Sequence, residues 1–159
     1  MKIFAISDTH FCHANIIKYC NRPFSCVEEM NESLIKNWNE AVSNDDVVLH
    51  LGDYCLGSKE AARDITSRLH GKKILIMGNH DNWNESFYRE IGFHTVSRFP
   101  ILYDNYYLLS HAPLVLSEST PYGNIYGHVH NDERYRDTSN TMCVSVERTG
   151  YRPVMLFER

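Results

Sequence analysis

Five short clusters of metal-ligating residue types run in order along the chain: Asp8-Thr9-His10, Gly52-Asp53, Gly78-Asn79-His80-Asp81, Ser110-His111 and Gly127-His128-Val129-His130. They supply two carboxylates (Asp8, Asp53), one carboxamide (Asn79) and four imidazoles (His10, His111, His128, His130). Mixed oxygen and nitrogen ligation without thiolate suits manganese, iron, nickel, cobalt or zinc. Calcium prefers oxygen alone, and four histidines count against magnesium. In His128-Val129-His130 the imidazoles lie two residues apart, so on extended backbone they point the same way and each can meet one ion of a pair. Read singly, Asp-x-His and Gly-Asp are common turns, and Asn-His-Asp is a common helix cap. Five of the nine histidines fall in these clusters, however, and a structural account of them needs five separate coincidences.

Two divalent ions set against Asp8 and Asp53 leave a positively charged site, which favours an anion whose reaction builds negative charge on oxygen. Two metals about 3.5–4 Å apart suit an in-line displacement and make hydroxide available near neutral pH, which is the chemistry of phosphoester hydrolysis. His80 is then the general acid, with Asp81 placed to fix its tautomer and keep it protonated. Arg22 lies in the segment that leaves the first motif, before Pro23, and its planar fork suits a phosphate oxygen pair; pairing with Glu28 or Glu29 is the alternative. His13, in the same segment, joins Arg22 as a substrate contact. His50, His70 and His94 lack such context and read as ordinary core or surface residues. Cys12 and Cys55 each stand two residues beyond a ligand and read as small buried hydrophobes.

Each cluster directly follows a mainly apolar run: Ile3 to Ile6, Val47 to Leu51, Ile74 to Met77, Tyr106 to Leu109 and Asn124 to Tyr126. The ligands therefore stand just past the ends of buried strands, where α/β proteins build their sites. Phe11 to Phe24 reads as irregular. Ser25-Cys26-Val27-Glu28 reads as a capping box opening a helix whose stripe is Val27, Met30, Leu34, Trp38 and Ala41. A second helix follows Ser58 with Ala62, Ile65 and Leu69 as its stripe, ending before Gly71. A third runs from Asn82 to about Glu90, before Gly92. From His94 onward only short strands are predicted. A βαβα half followed by a mostly β half predicts two packed sheets covered by helices.

The length of 159 residues and a hydrophobic share of 43% suit one domain over residues 1–159. A net charge of −4 without any basic run argues against general attraction to nucleic acid or membrane and favours a small phosphorylated substrate. The amino terminus lacks the apolar length of a signal peptide, and no stretch approaches the roughly 20 apolar residues that span a bilayer. Five cysteines without a C-x-x-C pair fit reduced thiols, and the expected location is cytoplasmic.

The motifs, spanning residues 8 to 130, resemble the signature of the calcineurin-like metallophosphoesterases. Within that family the chain looks like the small, single-domain bacterial and phage phosphoesterases, which also carry a stretch like Asn21-Arg22-Pro23-Phe24. The resemblance implies a four-layer α/β/β/α sandwich with two mixed sheets flanked by helices. It implies one metal held by Asp8, His10, Asp53 and His130, a bridge at Asp53, and a second metal completed by Asn79, His111 and His128. His80 matches the family's catalytic histidine, and Asp81 the acidic residue that often follows it. The cofactors implied are two divalent transition-metal ions, manganese foremost. The activity implied is hydrolysis of a small phosphodiester or phosphomonoester such as a nucleotide. The alternatives are a nuclease on longer nucleic acid and a phosphoesterase-fold interaction scaffold. No cap insertion separates the motifs, so substrate recognition falls to short loops.

Overall fold

The first strand, β1 (Lys2–Ile6), is buried from Ile3 onward, and its side chains alternate between two interiors. Phe4 and Ile6 enter a cluster shared with the helices, while Ile3 and Ala5 enter a second cluster shared with Leu109, Ile125 and Val144. The next strand, β2 (Val47–His50), divides in the same way, Val48 to one side and Val47 with Leu49 to the other. A strand covered on both faces needs no polar alternation, which is why these runs are apolar throughout.

The structure is a computed structural model and describes residues 1–117 and 119–159. Among these the remaining elements are α1 (Ala14–Tyr19), α2 (Val27–Ala41), α3 (Lys59–Arg68), β3 (Lys72–Ile76), α4 (Glu85–Glu90), β4 (Phe93–Ser97), β5 (Ile101–Tyr103), β6 (Tyr107–Leu109), β7 (Gly123–Tyr126), β8 (Thr141–Cys143) and β9 (Val154–Glu158). A five-stranded sheet has the order β4-β3-β2-β1-β9, parallel except for β9. A four-stranded sheet has the order β5-β6-β7-β8, antiparallel at β5 and parallel thereafter. The expected pair of mixed sheets with flanking helices is therefore present. The described helices all precede β4 and share the buried cluster of the first sheet. The links between the later strands hold none among the described residues. No described helix is long and apolar enough to cross a membrane.

The sheets are stitched together where the ligands stand. Ser7, just past β1, pairs with Ser145 in an isolated parallel bridge, its N–H donating to Val144 O (2.9 Å) and its carbonyl accepting from Val146 N–H (3.1 Å). Within each sheet the ladder also continues past the strand ends, Gly127 N–H donating to His111 O at 2.8 Å and Asp8 N–H to Gly52 O at 2.9 Å.

The helices depart from the sequence pattern at their starts. Helix α1 occupies the stretch read as irregular; it has only Ile16 buried and no side-chain cap, so it carries no periodic signal. Helix α2 has Cys26, not Ser25, at its N-cap, and Glu29, not Glu28, accepts from the N–H and hydroxyl of Ser25. Helix α3 begins as its pattern suggests, Ser58 Oγ accepting from Ala61 N–H at 3.1 Å. Helix α4 is capped by Asn84 instead of Asn82, because the residues just after β3 are held by the site described below.

Trp38 anchors α2. It is fully buried, its indole N–H donates to His70 O at 3.0 Å, and its ring stacks on His50. Trp38→Ala should cost about 3–5 kcal/mol, the usual range for deleting a large buried aromatic, as read by urea unfolding.

Candidate metal centre

All seven sequence-predicted ligands meet at one edge of the two sheets. Asp8 is buried; its carboxylate accepts from His128 N–H (2.9 Å to Oδ2) and from Ser145 Oγ (2.7 Å). Asp53 Oδ2 lies 3.4 Å from His10 Nε2 and 3.5 Å from His111 Nε2, while its Oδ1 accepts from His80 N–H at 2.9 Å. Asn79 Oδ1 is 3.0 Å from both His111 Nε2 and His128 Nδ1. His130 Nε2 stands 3.9 Å from Asp8 Oδ1. Asp8, His10 and His130 form one ligand-spaced group, and Asp8, Asp53 and His111 another.

Hydrogen bonds behind the rings assign which nitrogen faces the centre. His111 Nδ1–H donates to Leu51 O at 2.7 Å, leaving Nε2 as a lone pair in the neutral ring. His130 Nδ1–H donates to Glu147 Oε1 at 3.0 Å, leaving Nε2 towards Asp8. His10 Nε2 is buried and has no hydrogen-bond partner among the described residues. With the Asn79 carboxamide oxygen turned inwards, its lone pair and that of His111 Nε2 face each other at 3.0 Å, a contact that a cation, an added proton or rotation of the amide relieves. The donor set fits divalent transition metals.

Burial sets the charges. It pushes the His10 imidazole far below its ordinary range, and the neighbouring His130, Arg22, His13 and His80 add to the effect. His128 is lowered chiefly by burial and then by His111. Burial also raises Asp53, with Asp8 and Asp81 adding and His111 and the His80 amide opposing. Burial works against the His130 imidazolium, yet its hydrogen bonds with Cys20 and Glu147 and the charge of Asp8 prevail and push it up to about 11. A metal at this position competes with that proton.

The backbone aims these side chains by leaving the strands sharply. Asp8, His10, Asp53, His128 and His130 all adopt positive φ, from 48° to 72°. Conformations of this kind cost about 1–3 kcal/mol each and persist where the surroundings over-determine them. The motif glycines permit the approach. A Cβ on Gly78 would collide with the Asp53 carboxylate, and one on Gly127 with the side chains of Ser7 and Asp8.

Asp81 does not orient His80. Its buried carboxylate accepts from Gly78 N–H and Asp53 N–H (both 2.8 Å), Tyr54 N–H (3.0 Å) and Tyr88 OH (3.2 Å), so it clamps the loops that carry Asp53 and Asn79. His80 itself is exposed, its ring 5.5 Å from that of His10. His13 is partly exposed beside the centre, its Nδ1 3.4 Å from His10 Nδ1.

Arg22 is not at the rim either, nor does it pair with Glu28 or Glu29. Helix α1 turns the segment back, and the buried guanidinium donates to Asp8 O (2.7 Å) and Thr9 O (2.9 Å) and pairs with Glu147 Oε1 at 2.7 Å. Burial opposes the Glu147 charge, but His130 and Arg22 outweigh it and hold the carboxyl below its ordinary range. This one ion pair supports the backbone between two ligands and the ring of a third.

Glu147 and His50 escaped sequence reasoning. Glu147 belongs to no motif. His50 immediately precedes Leu51-Gly52-Asp53, and that adjacency was its only signal; buried and neutral, pushed down to about 3 by burial and His111, it accepts from Gly52 N–H and faces Thr9 Oγ1. Cys55 is buried, whereas Cys12 is partly exposed with its thiol held down to about 7, chiefly by hydrogen bonding with Cys55; neither joins a ligand group.

Residues 1–149 match the calcineurin-like phosphoesterase family, and the chain belongs to it. An uncharacterized protein of Methanocaldococcus jannaschii is 43% identical over 164 residues, 98% of this chain and 87% of that protein. The gene 66 protein of Mycobacterium phage L5 is 38% identical over 78 residues, 47% of this chain and 37% of its own. Among solved structures, a protein of unknown function from Aquifex aeolicus matches with a TM-score of 0.74 at 29% identity, covering 97% of this chain and 95% of its own. Pseudomonas putida nuclease MPE matches with a TM-score of 0.54 at 19% identity over 80% and 61%, a likeness of fold.

Glu147→Gln keeps the shape of the brace but removes its charge. Manganese affinity measured by calorimetric titration should fall about 10–100-fold, the usual size for losing a partner behind a ligand, and the melting temperature should drop because Arg22 stays buried without a counter-charge. Unchanged affinity would show that His130 needs no support from Glu147.

Proposed function

We propose that the protein hydrolyses a small phosphodiester or phosphomonoester at a pair of divalent transition-metal ions, manganese foremost. The observation that carries this reading is the Asp53 carboxylate, one oxygen of which lies within 3.5 Å of imidazole nitrogens from both halves of the donor set. Asp8, His10 and His130 would hold one ion, Asn79, His111 and His128 the other, with Asp53 shared. A metal pair there supplies a more acidic water and positive charge to offset a phosphate.

The chain's own residues account for the remaining requirements. Asn79, His80 and His128 are exposed, so they form the open side through which a substrate arrives. His80 has its backbone pinned to Asp53 and its ring beside that of His10, which suits it to pass a proton to the leaving oxygen. His13 also borders His10 and is positioned to touch the substrate. An acidic chain without a basic stripe favours a small molecule over long nucleic acid, and unpaired cysteines suit a reducing cytoplasm.

The decisive experiment is a screen of the purified, manganese-loaded protein against phosphomonoesters, linear and cyclic phosphodiesters and nucleotides. Hydrolysis that disappears on chelation is expected; no metal-dependent turnover of any ester would defeat the reading. Steep loss of binding with salt on long nucleic acid would favour a nuclease instead.

Asp53→Ala should lower metal content and turnover together, since it removes the shared carboxylate; elemental analysis showing two ions per chain at a near-normal rate would contradict this. His80→Ala should retain its metals yet lose about 10²–10⁴-fold in rate on alkyl esters, with a smaller loss on nitrophenyl esters, whose leaving groups need no proton.

A further inference from the structure

Beside the metal centre, on the side of His80, lies a cavity of about 260 Å³ lined by Cys55, Leu56, Gly57, His80, Asn82 and Trp83. Its walls are the two loops that also carry Asp53 and Asn79, so whatever fills it is registered against the ligands. Trp83 is half-buried and is held in place from behind, its ring packed on Phe87 (centroids 4.9 Å apart) and Tyr88 (5.7 Å). Leu56 adds a second apolar wall, and Asn82 places a carboxamide at an exposed edge. No Lys, Arg, Asp or Glu lines it among the described residues. A cavity of roughly 150 Å³ accepts benzene, so this volume suits one or two rings and not a whole nucleotide. Larger cavities, two of about 450 Å³ beside Tyr107 and beside Arg136 and one of about 340 Å³ beside Ala14, contain none of the ligand residues.

We propose that this cavity receives the leaving alcohol of the substrate, and that this alcohol carries an uncharged planar ring, as a nucleoside does. The inference rests on the phosphoesterase reading above. His80 lies at the junction of cavity and centre, so the group lodged against Trp83 is the one whose oxygen takes a proton from His80. The oxygen of water bonds to phosphorus as one of the water's protons passes to solvent, the bond from phosphorus to the ring-bearing alcohol breaks, that alcohol departs with the proton of His80, and His80 regains a proton from solvent. Apart from His80, whose proton goes to the leaving oxygen, the lining carries no cation to hold a second phosphate, which sets a nucleoside ester apart from an internal link of a polynucleotide.

The test compares dimethyl phosphate, benzyl methyl phosphate and the methyl ester of uridine 5′-phosphate, with the matching monoesters in parallel, on manganese-loaded wild type, Trp83→Ala, Trp83→Phe and Leu56→Glu. Wild type should prefer the ring-bearing esters and release the ring alcohol in place of methanol. The ratio of kcat/KM for ring-bearing over methyl esters should fall about tenfold or more in Trp83→Ala, mainly through KM, as expected for loss of aromatic stacking. Trp83→Phe should recover most of that ratio, and Leu56→Glu, which brings charge into the cavity, should lower it. Benzyl and uridine esters separate a general aromatic preference from a nucleoside one. Hydrolysis without ring preference, or equal losses on all esters, would overturn the role of the cavity and leave the phosphoesterase reading standing. No hydrolysis of any ester would remove that reading and the cavity's role with it.

Discussion

Seven side chains with lone pairs converge at the mouth of this fold, and such a gathering is repulsive unless a cation balances it. Asp8 and Asp53 are both buried, with burial raising Asp53 and the Asp8 charge adding to it. His10 presents a buried nitrogen with no partner among the described residues. An apolar interior relaxes away from contacts of this kind, so the arrangement persists only because the surrounding structure holds it. Much of what lies around the centre serves that end.

The braces come in pairs that tie distant parts of the chain. Asp81 clamps the loops after β2 and β3 through backbone donors. His50 and Thr9 join the backs of the first two motifs. Arg22 and Glu147 join the first motif to the last, and Ser145 reaches Asp8 from beyond β8. Each of these groups hydrogen-bonds a ligand residue or the backbone beside it, and a metal centre demands ligands held to about 0.5 Å. The price is a buried ion pair and five strained backbone positions.

The parallel strands explain why binding and recognition share loops. Because β1, β2 and β3 run the same way, their carboxyl ends open onto one edge. The loops leaving that edge carry Asp8, Asp53 and Asn79 first and then Leu56 and Trp83, so a recognition surface follows the ligands within a few residues. Loops of this kind can vary without moving the ligands.

By itself the sequence determined the candidate metal ligands, the strands before them and the family, because residue type and apolar run are local properties printed at fixed spacing. Met30, Leu34 and Trp38 likewise revealed α2 through periodicity, and Ser58 revealed the start of α3. Helix α1 stayed hidden, with one buried residue and no cap, and Asn84 replaced Asn82 as a cap because Asp81 holds the preceding turn. Only the tertiary structure decided what Arg22, Asp81, His50 and Glu147 do. Their types permit substrate contact, catalysis or support equally, and the choice depends on partners from 2 to 125 residues away in sequence. Burial made the decision: a guanidinium or carboxylate enclosed by the fold must satisfy its charge and hydrogen bonds on the protein, and so becomes part of the frame that holds the metal ligands.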